Sequence, residues 1–236
     1  MHSVSKNQPK RRDRAFTLVE MLVVIAIMSI LMTVGAIGLG GMGGKGVSSG
    51  VATAESLFDE ARSIAVGQRT KSRVLIAKDL TNSGADNLRR ILVASQVLDA
   101  NGLPTSNWAL SSRGAILPEQ VYFSKKFSLK DHDAGSGTLD EMDVTTAMGK
   151  VAYVGKYYYY EFNAEGICAT PGASFVIGTG SRGLTTSAVK ASPKVNAAGK
   201  RDFAGFVVWR NGRTSVFRSP SQISSTIDSL TTGTEF

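Results

Sequence analysis

Residues 15–44 read AFTLVEMLVVIAIMSILMTVGAIGLGGMGG. Glu20 is the one charged side chain in this stretch, and from Met21 to Gly44 no residue carries a charge. A helix needs about 20 apolar residues to cross a bilayer, and this run exceeds that. It is apolar on every helical face, which suits lipid or the interior of a helix bundle rather than a protein surface. Immediately before it, Lys6, Lys10, Arg11, Arg12 and Arg14 stand against Asp13 alone. The whole chain carries +8 over 236 residues, so half of the excess sits ahead of Phe16. Basic residues next to a spanning helix stay in the cytoplasm, which sends the C-terminal bulk outward. The sequence therefore predicts a single-pass anchor with an extracytoplasmic domain.

An ordinary secretory signal has an apolar core of about 7–15 residues followed by a small-residue cleavage site. This run is too long for that, and an acid near its start has no use in such a signal. A carboxylate at membrane depth is costly and marks function. The remaining composition, 42% apolar and 19% charged, is that of a folded domain. Beyond the leader the chain is only mildly basic, so no general nucleic-acid surface is required. Cys168 is the single cysteine, which rules out an intrachain disulfide and a cysteine zinc cluster and reads as a small buried apolar residue.

The run Ala15-Phe16-Thr17-Leu18-Val19-Glu20, behind a basic leader and ahead of a long apolar helix, resembles the class III leader of type IV pilins and type II secretion pseudopilins. The resemblance implies cleavage between Ala15 and Phe16 by a prepilin peptidase and methylation of the new amino terminus at Phe16. Ala15 departs from the glycine usual at the cut but is similarly small. The resemblance also implies an assembly role for Glu20. A carboxylate buried among packed helices needs a cationic partner, and the amino terminus of Phe16 on a neighbouring subunit would supply it and set the stagger between subunits.

Two glycine motifs in the same stretch fail their structural requirements. Gly38–Gly43 fits G-x-G-x-x-G, but a membrane-length run precedes it where a dinucleotide site needs a short strand. Gly44-Lys45 lacks both the first glycine and the Ser/Thr of a phosphate loop. The glycines from Gly35 to Gly50 are expected to loosen the helix where it leaves the membrane, since glycine costs up to about 1 kcal/mol per helical site.

Beyond the glycines, Leu57, Phe58, Ala61, Ile64 and Ala65 fall on one helical face. Short apolar runs then predict strands at Val74–Ile76, Ile91–Val93, Val121–Phe123, Val151–Val154, Tyr157–Phe162, Phe175–Ile177, Phe206–Trp209 and Val216-Phe217. Asn211-Gly212 predicts a hairpin turn and Asn163–Gly166 another turn. The fold class is α+β: a long N-terminal helix, transmembrane in its first half, packed on a mostly antiparallel sheet. The expected organisation is a cleaved leader at 1–15, an anchor and assembly helix at 16–70, and an exported domain at 71–236. The tyrosines at 157–160 should alternate across their strand, with packing favoured over a carbohydrate-binding role. Residues 180–202 read as an exposed polar loop whose Lys190, Lys194, Lys200 and Arg201 form a solvated face, and 219–236 as a loose tail.

Three stretches resemble the minor pseudopilins of the GspH/FimT group: Ala61–Ala65, Tyr160–Gly166 and Phe206–Val216. Some DNA-binding minor pilins have Gly-Arg-x-Arg near the last hairpin. Here Thr214 and Ser215 follow Gly212-Arg213, so nucleic acid is not an expected partner.

Asp131, Asp133, Asp140, Glu141 and Asp143 form an acidic cluster, and the first two with Asp140 and Asp143 are calcium candidates. The EF-hand spacing fails at Gly135 and Met142, so a solvated acidic loop is the default and no cofactor is required. With His2 in the leader, His132 is the one histidine left, and no nucleophile elbow or histidine pair occurs. The chain reads as a structural subunit rather than an enzyme. The leading expectation is a minor pseudopilin of a type II secretion filament in the inner membrane, its domain periplasmic. Its expected partners are the prepilin peptidase, other pseudopilins or pilins, membrane lipid, and an assembly platform driven by a separate ATPase. A minor pilin of a type IV pilus, serving adhesion, motility or DNA uptake, and a membrane-anchored surface binding protein are the alternatives.

Overall fold

Apolar residues spaced at three and four positions make an amphipathic helix, and apolar runs with β-branched and aromatic residues make buried strands. Both patterns are realised in a computed structural model, which describes residues 18–40, 42–183, 185, 187–196 and 202–236. The side chains of 30–40, 42–45 and 188 are outside that description, as is the whole leader with Ala15 and Phe16. The chain divides into two units, at Gly40/Gly41.

The first unit holds helix α1, Leu18–Gly40, with Glu20 in its first turn. Among the described residues, no helix is long and apolar enough to cross a membrane. The expected spanning segment draws half of its length from residues 30–44, whose side chains are not described.

In the second unit, helix α2 runs Met42–Gln68. It buries Val47, Val51, Ala54, Leu57, Phe58, Ala61 and Ala65, a stripe of helical period. The glycines expected to loosen the chain are helical, from Gly35 to Gly40 in α1 and from Gly43 to Gly50 in α2. Gly46 and Gly50 have a packing role instead. A Cβ at Gly50 would stand 2.8 Å from Ile177 Cδ1, and one at Gly46 would stand 3.3 Å from Val121 Cγ2. One turn apart, they let the helix backbone approach the sheet closely, which offsets their low helix propensity.

Two antiparallel sheets receive α2. The strands are β1 Ser72–Leu80, β2 Arg90–Leu98, β3 Pro104–Leu110, β4 Ala115–Ile116, β5 Val121–Phe123, β6 Glu141–Val144, β7 Gly155–Phe162, β8 Ala173–Ser181, β9 Lys194–Val195, β10 Phe203–Val208 and β11 Thr214–Val216. The first sheet has the order β3-β2-β1-β7-β6, with β4 beside β2. The second has the order β11-β10-β8-β5, with β9 beside β8. A common core joins α2 to the inner faces of both. Phe58 stands at its centre, edge-on to Tyr160 at 4.9 Å and Phe206 at 5.0 Å between ring centroids.

The first sheet is also covered on its other face. Leu75, Ala77, Leu92, Ala94 and Tyr157 are buried there beneath Trp108, Leu110, Met142, Met148, Tyr153 and Tyr159. The four tyrosines alternate as a strand requires, Tyr157 and Tyr159 on this outer layer and Tyr158 and Tyr160 on the α2 side.

Three expectations are corrected. Val151–Tyr153 is a turn of 3-10 helix, because Gly155 begins the strand that the apolar run suggested four residues earlier. Within 180–202, β9 pairs with β8 and Val195 is buried, so this segment is partly built into the sheet. Residues 219–236 are no loose tail: a short helix α3, Pro220–Ile223, and a 3-10 turn, Ser225–Ser229, bury Ile223, Ile227, Leu230 and Phe236. The Phe236 ring packs on Phe203 at 4.9 Å.

Candidate functional site

Along α1 the side chains from Leu18 to Ser29 are described, and all are exposed. Leu18 is 80% exposed, Ile25 62% and Met28 59%, and every helical face is involved. Apolar surface of this kind marks contact with lipid or with other proteins. Glu20 interrupts it in the first helical turn, where a carboxylate is favoured by the amide dipoles. Ala15 and Phe16 lie outside the described residues.

The three stretches that resemble the GspH/FimT group meet at one place, the C-terminal end of α2. Arg62 Nε donates to the Gly166 carbonyl at 3.4 Å. Gly166 and Gly212 both take left-handed backbone angles, φ +73° and +74°, as the two predicted turns require. A Cβ on Gly212 would lie 2.5 Å from Gly166 O and 2.7 Å from Arg62 Cδ. The arginine stem thus packs under two glycine turns whose backbones touch. Ser72 Oγ donates to Ala61 O at 2.6 Å and Cys168 N to Arg210 O at 3.2 Å, tying β1 and the last hairpin to the same node. The hairpin forms at Asn211-Gly212, with Trp209 N donating to Arg213 O at 2.9 Å. Cys168 is buried, its thiol donating to Thr170 O at 3.4 Å, and burial raises its pKa.

The acidic cluster is dispersed. Asp131 Oδ1 accepts from Ala134 N within its own turn, and Asp133 is exposed beside it. Asp140 takes both of its bonds from Lys130 Nζ, at 2.8 and 2.7 Å, and Glu141 takes Lys78 Nζ at 2.6 Å. Asp143 lies on β6 at a separate cleft of about 830 Å³. Among the described residues, no three His, Cys, Asp or Glu side chains form a group that could hold a metal ion. His132 packs on Phe217 at 4.7 Å, with Nε2 3.1 Å from Gln222 O, so it braces the C-terminal segment. In the polar loop, Lys190 pairs with Asp79 at 3.0 Å and Lys194 is exposed, while Lys200 and Arg201 lie outside the described residues.

Sequence reading missed two arginine arrangements because their partners are distant in the chain. Arg73 lies 4.0 Å from the ring centroids of both Trp108 and Tyr159 and pairs with Glu161. Arg89 and Arg182 flank Tyr122.

Residues 10–36 match the family model described as the prokaryotic N-terminal methylation motif. The matched segment takes in the basic end of the leader, the Ala15-Phe16 position, Glu20 and the first part of the apolar run. Among solved structures, the type IV minor pilin FimU of Pseudomonas aeruginosa (strain PAO1) matches at 14% identity and a TM-score of 0.36, over 74% of this chain and 94% of that one. No curated protein sequence matches.

Proposed function

We propose that this chain is a minor pseudopilin-like structural subunit of a type II secretion filament. Its leader is removed before Phe16, the new amino terminus is methylated, and α1 anchors the subunit in the inner membrane with residues 71–236 on the periplasmic side. An assembly platform powered by a separate ATPase then moves α1 from lipid into the helical core of the filament. The observation that carries this reading is α1 itself: apolar side chains exposed all around and one carboxylate in the first turn. Such a surface is stable only in lipid or against other helices. Within a helix bundle Glu20 needs a cation, and the Phe16 amino terminus of the adjacent subunit fits that need. The convergence of Ala61–Ala65, Tyr160–Gly166 and Phe206–Val216 around Arg62 supports the minor pseudopilin assignment over a generic anchored binder, since it gives the three similar stretches one structural purpose.

The test is the intact mass and N-terminal sequence of membrane-extracted protein, with and without a prepilin peptidase. A peptidase-dependent start at Phe16 with one added methyl group is expected. An intact leader, or a start after the apolar run, refutes the filament reading. Deletion of the gene then separates the two systems. Loss of protein secretion with intact pili supports the secretion filament, and loss of pili with intact secretion transfers the subunit to a type IV pilus.

A further inference from the structure

Where the two sheets meet, two arginines carry their charge with no counter-ion among the described residues. Arg89 lies just before β2 and Arg182 just after β8, and both stand beside Tyr122 of β5, with Cζ at 6.0 and 5.1 Å from the ring centroid. Among the described residues their hydrogen bonds go to carbonyls. Arg89 Nη2 donates to Leu117 O at 2.9 Å, and Arg182 Nη2 to Gly84 O at 3.4 Å and Ala85 O at 3.2 Å. Arg89 Nε and Arg182 Nη1 are buried and bond nothing. Among the described residues neither arginine enters an ion pair, whereas the mostly buried Arg73 and Arg90 are paired with Glu161 and Asp86. Desolvation lowers the pKa of Arg182; Tyr122 opposes that shift and the positive charge of Arg89 adds to it.

A partly buried charge is normally paired, because leaving it unpaired sacrifices its hydration for nothing. Here two such charges stand beside the same tyrosine ring, each with a buried N–H that no described group accepts, next to the exposed Ser181 and Gly183. A guanidinium is a planar fork matched to two oxygens of a phosphate-like group, and a pair of them matches a double negative charge. We infer that Arg89, Arg182 and Tyr122 form a binding site for a tetrahedral dianionic oxyanion of the phosphate or sulfate class. This site is independent of the filament reading.

The experiment uses the full chain in maltoside micelles, titrated with sodium phosphate against sodium chloride at matched ionic strength. Thermal unfolding by circular dichroism and the phosphorus NMR linewidth are followed together. Phosphate is expected to raise the melting temperature along a saturating curve that chloride does not reproduce. Arg182→Gln should weaken that response about tenfold or more, the loss that removing a charge-assisted bond implies, while the exposed Arg210→Gln keeps it. Identical curves in phosphate and chloride overturn the site, and so does an equal loss in both variants. If Arg182→Gln does not fold, the linewidth of the unsubstituted protein decides: broadening that sulfate reverses supports the site, and unbroadened phosphate overturns it.

Discussion

Replacing Gly212 with alanine tests whether the node at the end of α2 is as tightly closed as it reads. Two costs should add. At φ +74° an L-residue is in the left-handed region, a penalty of about 1–2 kcal/mol. The new methyl group would also stand 2.5 Å from Gly166 O and 2.7 Å from Arg62 Cδ. The arginine stem can swing away, but the carbonyl belongs to a second turn and can retreat only if that turn opens. Overpacking of this kind costs about 1–3 kcal/mol, so Gly212→Ala should destabilise by about 2–5 kcal/mol in total. Gly102 is the internal control: its φ is +77° and nothing lies within 4 Å of its added Cβ. Gly102→Ala should therefore show the conformational cost alone. Urea unfolding of both variants, followed by circular dichroism in the same detergent, isolates the crowding. Combining Gly212→Ala with Arg62→Ala should recover part of the loss, a coupling of about 0.5 kcal/mol or more. Equal costs for Gly212→Ala and Gly102→Ala would refute the claim that Arg62 and Gly166 close this node.

Phe58→Ala should be among the most damaging single substitutions, at about 3–5 kcal/mol in urea unfolding, because the ring is fully buried among Tyr160, Phe175 and Phe206. Stability should fall as pH rises above about 9. Burial raises the pKa of Cys168 above 9.0 and those of Tyr157 and Tyr160 above 10.0, so the unfolded chain releases these protons first and alkali favours it; a flat stability curve from neutral pH to pH 11 would contradict this. The Cys168 thiol should react with a disulfide reagent only after denaturant is added, and labelling of the folded protein at the rate of a free thiol would show the site to be open. Lys130→Ala should change stability by less than about 1 kcal/mol, since both side chains of its pair with Asp140 remain well open to solvent screening, 39% and 45% exposed.

The leader and α1 are legible in the sequence because their signal is local: charge, then Phe16, then an unbroken apolar run. The centres of the main strands are legible for the same reason. Val74–Ile76, Ile91–Val93 and Phe175–Ile177 are apolar on consecutive residues, and the structure buries both faces of these strands. Strands β3 and β6 escaped because PTSNWAL and EMDV lie at a sheet edge, half in water, where polar residues are tolerated. The ordered C-terminal segment escaped because Ile223, Ile227, Leu230 and Phe236 are isolated apolar residues in a Ser/Thr-rich stretch, and nothing nearby shows that β8 and β10 wait to receive them. The same blindness hid Arg89 and Arg182, which meet at Tyr122 only in three dimensions.

Strand β1 pairs with β7 across the middle of the first sheet, joining Ser72 to Phe162. In kinetic terms this is a contact of high order. Even at its near end, where Leu80 meets Gly155, about seventy-five residues must loop out before the seam closes, and the entropy of that closure is spent before any pairing rewards it. The hairpin of β1 with β2 forms first by proximity and then presents an apolar, unpaired strand edge until β7 is reached. Folding of this domain should therefore run on the millisecond-to-second scale typical of sheet proteins. Through that interval the open edge of β1 is the surface most prone to pair with a wrong strand.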